Sequence, residues 1–261
     1  MRLPRLRRAG ADGYAGLGEE AVLGRLFAGL GVDRGQVVDI AACDGVTRSN
    51  ALALYEQGWP GLAVEGDPDR FARLAAAYRR FPDVGLARTW VTPGNVAALL
   101  EAHGLPRDFT YLSLDIDGYD HFVLAALLEA YRPVVVCAEI NEKIPPPVKF
   151  TVTYDPDYAW AVDHFYGQSI SKLHELCEAR DYALVELHYN NAFLVSGERN
   201  VFDRLSPEEA YRTGYLDRPD RLQHFPGNAD MEAVHGLEPV QAIAFLNERF
   251  ARYAGRYEIG L

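Results

Sequence analysis

Between residues 36 and 141 short apolar runs alternate with stretches of helical spacing, and this alternation constrains the fold more than any other feature of the chain. The runs are QVVDI, GLAVEGD, VGLARTWV, FTYLSLDID and VVVCAEIN; helices are expected between them over roughly 48–57, 68–80, 95–103 and 120–131. Parallel strands cannot be closed by a tight turn and need a crossover, so strand–helix repetition of this kind specifies a parallel sheet with helices on both faces. The uninterrupted run of residues 134–141 suits a strand buried on both sides. Gly58 and Pro68 punctuate the pattern, the first as a helix stop and the second at a helix N1 position. An amphipathic helix over residues 18–31 precedes the first strand.

The alternation breaks at residues 142–167, EKIPPPVKFTVTYDPDYAWAVDHFYG, a proline- and aromatic-rich insert expected to be an ordered, lid-like loop. A helix over about 168–180 follows, then ALVELHYN and AFLV, which the tight Asn190-Asn191 connection makes an antiparallel hairpin. Residues 197–261 are predicted to form helices and loops without a further strand. The resulting organisation is a basic leader over 1–13, a main domain over 14–196 carrying the insert, and a helical C-terminal extension over 197–261.

Composition narrows the function. A formal net charge of −11 argues against nucleic acid as the main partner, because phosphate binding needs a basic face. Cys43, Cys137 and Cys177 lack metal-ligand spacing, which fits a reducing, cytoplasmic setting rather than a disulfide scaffold. The leader MRLPRLRRAG runs into no apolar core as a signal peptide would, and no apolar run reaches the ~18 residues of a membrane span. The expected partner is a small-molecule substrate; a homo-oligomer is left open.

The first strand runs into VVDIAACDGVTRSN, residues 37–50. Asp39 closes the strand where the crevice of an open α/β sheet lies, and Glu65 closes the second strand. A carboxylate at Glu65 suits the ribose of NAD or of S-adenosylmethionine equally. The turn separates the two. A pyrophosphate needs glycines so that backbone N–H groups can approach it, and here stand Ala41, Ala42, Cys43 and an acid, Asp44. S-adenosylmethionine carries a sulfonium and an ammonium, for which nearby acids are favourable. The competing structural reading is that Asp39 and Glu65 cap helices.

With YAGLGEEAVLGRLF, VVDIAACDGVTRSN, the Gly58–Pro68 segment, YLSLDIDGYD and NNAFLV in this order over residues 14–196, the chain resembles the FkbM-like S-adenosylmethionine-dependent methyltransferases. The resemblance implies a Rossmann-like, class I methyltransferase fold, with a mostly parallel seven-stranded sheet and an antiparallel last strand. By the same resemblance Asp39, Ala41 and Asp44 line the methionyl end, and Ser49 and Asn50 lie near its carboxylate. Glu65 and the adjoining Gly66 hold the ribose, and Trp90 and Val91 flank the adenine. The chain departs from the family at Ala41 and near Cys43, where glycines are usual.

The chemistry is expected at Asp115, Asp117 and Asp120, at and beyond the end of the fourth strand, and at Glu139 and Asn141 one strand over. One reading is Mg²⁺ or Mn²⁺ on oxygen ligands Asp115, Glu139 and Asn141, holding and acidifying a substrate hydroxyl. Another is a metal-free base, Asp117 or a neighbour such as Asp115, with the acids balancing the sulfonium. A third is structural, with Asp117-Gly118 as a turn, Asp120 as a helix cap and Asn141 as a loop anchor. His164 is a candidate base from the insert, against a surface or packing role; His188 reads as structural. Tyr154, Tyr158, Trp160, Phe165 and Tyr166 form either an aromatic wall for an acceptor or the packing of the insert. The expected activity is O-methylation of a small hydroxylated, sugar- or natural-product-like metabolite. The alternatives are another reaction on the same cofactor, such as cyclisation, and a catalytically silent partner subunit.

Overall fold

A computed structural model describes residues 13–261, so the basic leader lies, but for Gly13, outside the described residues. Seven strands form one sheet in the order β3-β2-β1-β4-β5-β8-β7, from β1 (Val37–Ile40), β2 (Gly61–Glu65), β3 (Val84–Arg88), β4 (Tyr111–Leu114), β5 (Val135–Glu139), β7 (Tyr182–His188) and β8 (Asn191–Ser196). The sheet is parallel across β3, β2, β1 and β4. The two-residue connection Tyr189–Asn190 between β7 and β8 obliges β8 to run antiparallel to its neighbour. Tyr189 takes the left-handed conformation (φ 55°) that such a turn needs. The mostly parallel sheet with its antiparallel last strand is the architecture expected from the sequence.

The chain divides into two compact units. Of the described residues, the first comprises 13–115, Val123–Cys137 and Val195–Phe202. Here α1 (Glu19–Leu30), α2 (Leu52–Glu56), α3 (Pro68–Tyr78) and α4 (Val96–Ala102) accompany β1 to β4. The register aligns Ile40 with Val64 and with Leu114, so Ala41, Glu65 and Asp115 emerge together at the C-terminal edge. Tyr55 packs edge-on against Tyr78 and donates its hydroxyl to Leu62 O. The helix expected from residue 48 starts later, at Leu52. Arg48 is left-handed (φ 56°), and the Ser49 hydroxyl accepts the N–H groups of Ala51 and Leu52, which launches the helix there.

The second unit comprises Ile116–Phe122, Ala138–Leu194 and Asp203–Leu261. The insert is more than a loop: it contains β6 (Lys149–Val152), which pairs antiparallel with β9 (Tyr257–Gly260). This corrects the expectation that no strand follows residue 197. Neither partner announces itself, because each is four residues long and stands alone until the other pairs with it. Further contacts hold the insert down: Phe165 stacks on Tyr253 at 3.9 Å, Arg256 pairs with Asp155 at 3.0 Å, and Arg252 and Tyr253 both donate to Asp163. Ser169 caps α6 (Ile170–Ala179) by accepting from Lys172 N. Beyond the hairpin, α7 (Pro207–Tyr211) continues into a π-helical turn, Arg212–Leu216. A Cβ at Gly214 would lie 2.1 Å from Leu187 O, so only glycine lets this turn pack on β7. Then α8 (Arg221–His224), short helical turns and α9 (Pro239–Arg249) lead to β9.

Candidate functional site

The turn after β1 keeps a glycine-type backbone without the glycines. Ala41 (φ 64°), Cys43 (φ 53°) and Gly45 (φ 76°) all stand in the left-handed region. The turn is held from several directions: Ala42 N donates to Val64 O, Gly45 N to Ala42 O, and Cys43 N to the Glu65 carboxylate at 2.8 Å. Asp44 is occupied locally, accepting from Val46 N, Thr47 N and the Thr47 hydroxyl. Burial pushes its carboxyl up, but the bonds from Thr47 and Val46 together outweigh this and hold it below the usual carboxylate range. Asn50 donates to Cys137 Sγ at 3.9 Å, while its Oδ1 is buried without a hydrogen-bond partner.

Glu65 is buried, with one carboxylate oxygen on Cys43 N and the other on Asp67 N at 2.7 Å. It therefore ties the first turn to the N-terminus of α3, whose cap is Asp67. Each oxygen retains a second lone pair for a ligand hydroxyl. Trp90 is 64% exposed, so its ring is not part of the core. Its indole lies on Gly66: a Cβ there would stand 2.3 to 2.8 Å from three ring carbons. Asn95 fixes the Trp90 backbone by donating to its carbonyl at 2.9 Å. Val91, in contrast, is buried core.

Asp39 is 4% exposed and stands opposite Ala63 on β2 and Ser113 on β4. Glu65, two residues past Ala63, falls on the same face. Burial raises the Asp39 carboxyl to about 7, the Ser113 hydroxyl opposes that rise, and the Glu65 charge adds to it. Ser113 had no place in the sequence reading, yet its signal was there: a hydroxyl in the otherwise apolar strand YLSL, in register with the acid.

In the second unit, Asp117 is left-handed (φ 59°) and Gly118 packs on the Tyr158 ring. Asp120 accepts from Ile116 N at 2.7 Å and Gly118 N at 3.0 Å, so it holds this loop at the start of α5 (Asp120–Ala130). Asp117 and Glu139 offer carboxylate oxygens within 4.8 Å of one another, and Asn190 donates to Glu139 at 2.7 Å. Asp115 stands two positions before Asp117, directly after β4. Asn141 is wholly buried: its amide donates to the carbonyls of His164 and Tyr166, and its oxygen accepts from Lys143 N. That amide serves the insert, as in the loop-anchor reading. His164 Nε2 meets Asp230 at 2.9 Å. Tyr154 packs on Tyr119 and Phe122, beside the same loop. The adjoining Glu142 is buried with Lys143 at 3.0 Å, Tyr166 at 2.7 Å and Asn228 at 2.6 Å.

No family model matches the chain, and no curated protein matches it. Among solved structures it is similar to monomeric WbdD, at 18% identity over 66% of this chain, with a TM-score of 0.42. The chain spans 38% of the length of that protein. It is also similar to the N-terminal domain of EvdMO1 with SAH bound (14% identity, 66% of this chain and 77% of that one, TM-score 0.44). A third is a SAM dependent methyltransferase from Aquifex aeolicus (10% identity, 69% and 88% of the two chains, TM-score 0.38).

Proposed function

We propose that the chain is an S-adenosylmethionine-dependent methyltransferase of the FkbM-like kind, acting on a hydroxyl of a small sugar- or natural-product-like acceptor. The observation that carries this reading is the pair of buried carboxylates, Asp39 and Glu65, on one face at the C-terminal edge of the parallel sheet, beneath a turn with side chains at Ala41 and Cys43. Such a turn cannot take a pyrophosphate closely, and buried acids favour a cationic ligand. Glu65 would accept the two ribose hydroxyls, Trp90 would cover the base beside Gly66, and Asn50 Oδ1 would accept from the methionyl end.

The bound cofactor supplies an electrophilic methyl group. What the protein must add is an oriented, deprotonated acceptor oxygen. Asp117 and Glu139 are the carboxylates proposed for that task. Oxygen donors of this kind suit Mg²⁺ or Mn²⁺, which would acidify a hydroxyl; without an ion, Asp117 is the proposed base. Asn141 could join the ion set only through its amide oxygen, since its amide nitrogen donates to the carbonyls of His164 and Tyr166. A second reading, the same cofactor used for a reaction other than methylation, draws on the side chains at Ala41 and Cys43.

Calorimetry with S-adenosylmethionine, S-adenosylhomocysteine and NADH, with and without Mg²⁺, tests the assignment. S-adenosylhomocysteine is expected to bind and NADH not to. Tighter binding of NADH would overturn the reading. Transfer of label from methyl-labelled cofactor to acceptor separates methylation from the second reading.

A further inference from the structure

We propose that Asp39 is the residue that distinguishes the sulfonium cofactor from its neutral thioether product. This rests on the cofactor reading above and goes beyond it, because it assigns a selective role to one carboxylate of the pair.

The geometry sets the two acids apart. Glu65 is neutralised in part by backbone donors, Cys43 N and Asp67 N, and its position at the strand end suits hydroxyl groups common to cofactor and product. Asp39 lies one step deeper on the same face of the sheet and is 4% exposed. The groups acting on it are the Ser113 hydroxyl of β4 and the Glu65 carboxylate of β2. Those on which it acts are Tyr55 of α2, Tyr78 of α3, Tyr111 of β4 and Cys137 of β5. None of these six is basic. Glu19 of α1, which acts on Tyr111 and Cys137, adds another acid. Among the described residues the groups acting on Asp39 include no cation, and Arg80 acts only at one remove, on Tyr78, so a positively charged ligand atom favours the ionised form of Asp39 and a neutral one does not.

The two ligands share adenine, ribose, ammonium and carboxylate, and differ in one methyl group and one positive charge. The ratio of their affinities therefore cancels every contact except those that sense this difference. With an Asp39 carboxyl at about 7, roughly nine-tenths is ionised at pH 8 and one-tenth at pH 6, so the preference for the sulfonium should fall about tenfold over that interval. Binding the sulfonium near pH 7 should release about half a proton to the buffer, and binding the thioether much less.

The test is isothermal titration of both ligands at pH 6, 7 and 8, in two buffers of different ionisation heat. Wild type should show the tenfold change in ratio and the proton release. Asp39→Asn should bring the pH 8 ratio down to the wild-type pH 6 value and remove its pH dependence. If that variant does not fold, Ser113→Ala serves instead: losing the hydroxyl should move the midpoint of the ratio to higher pH. A ratio flat from pH 6 to 8 in wild type overturns the role of Asp39 while leaving the cofactor reading intact. Failure of both ligands to bind overturns both.

Discussion

Trp90 offers the sharpest test of the cofactor end, because an exposed indole lying on a glycine is poor packing and good recognition. At 64% exposed the ring contributes little to the core, so Trp90→Ala should leave stability within about 0.5 kcal/mol of wild type. Aromatic stacking on a base is worth ~1–3 kcal/mol on alanine substitution, which corresponds to a loss of roughly 5- to 150-fold in affinity for S-adenosylhomocysteine. Gly66→Ala reaches the same outcome from the other side. Gly66 is not left-handed, so the methyl group strains no backbone, but it would stand 2.3 Å from the nearest ring carbon and must displace the indole. Both variants should weaken binding with the melting temperature nearly unchanged, and Trp90→Phe should recover most of the loss. Calorimetry gives the affinities, and quenching of Trp90 fluorescence gives an independent readout, since Trp59 is buried and Trp160 belongs to the insert. Affinity within twofold of wild type for Trp90→Ala, with no quenching on titration, would remove the ring from the adenine site.

The Asp39 carboxyl is raised on folding, so its contribution to stability is present at low pH and lost as pH rises through about 7; the ligand-free protein should be about 1.4 kcal/mol more stable at pH 6 than at pH 8, by urea unfolding, and Asp39→Asn should lack that slope. Glu65→Ala strips a charged acceptor from Cys43 N and Asp67 N at ~1.5–3 kcal/mol each, so it should lower the melting temperature as well as cost at least tenfold in S-adenosylhomocysteine affinity. Asn141→Ala leaves two insert carbonyls without their donor and should destabilise by about 2–4 kcal/mol with cofactor affinity unchanged; a loss confined to Mg²⁺ binding would instead mark it as a metal ligand. Removing residues 250–261 should speed amide exchange across β6, whose strand partner is β9, and unchanged exchange would mean that the insert stands without it.

The sheet was legible because period carries it. Strands such as VVDI and VVCAE are buried along their whole length, and the helices between them have few other places to go. The turn was legible as a run of small residues after a strand, but not its left-handed backbone at Ala41 and Cys43. What stayed hidden is pairing at a distance. Nothing in Lys149–Val152 calls for Tyr257–Gly260, more than a hundred residues on, and only the backbone hydrogen bonds make either a strand. His164 and Asn141 illustrate the same limit for side chains. Their residue types suit a base and a ligand; the partners that hold them, Asp230 and the carbonyls of the insert, are specified by no local pattern.

Ala41 and Cys43 bring the two kinds of information together. At the level of residues they stand where the resemblance leads one to expect glycines. The backbone instead keeps both in the left-handed region that glycine would occupy, a conformation that disfavours a residue with a Cβ by about 1 kcal/mol or more. Two such residues in three positions persist only where the surroundings over-determine the turn. Here the Ala42 N–H is taken by Val64 O, the Gly45 N–H by Ala42 O, and the Cys43 N–H by the buried Glu65 carboxylate. The acid proposed to hold the ribose is thus also the acid that stabilises the turn beside it. Loss of its charge would act on both at once, so the contact that shapes the turn would also set how the proposed ligand is received beside it.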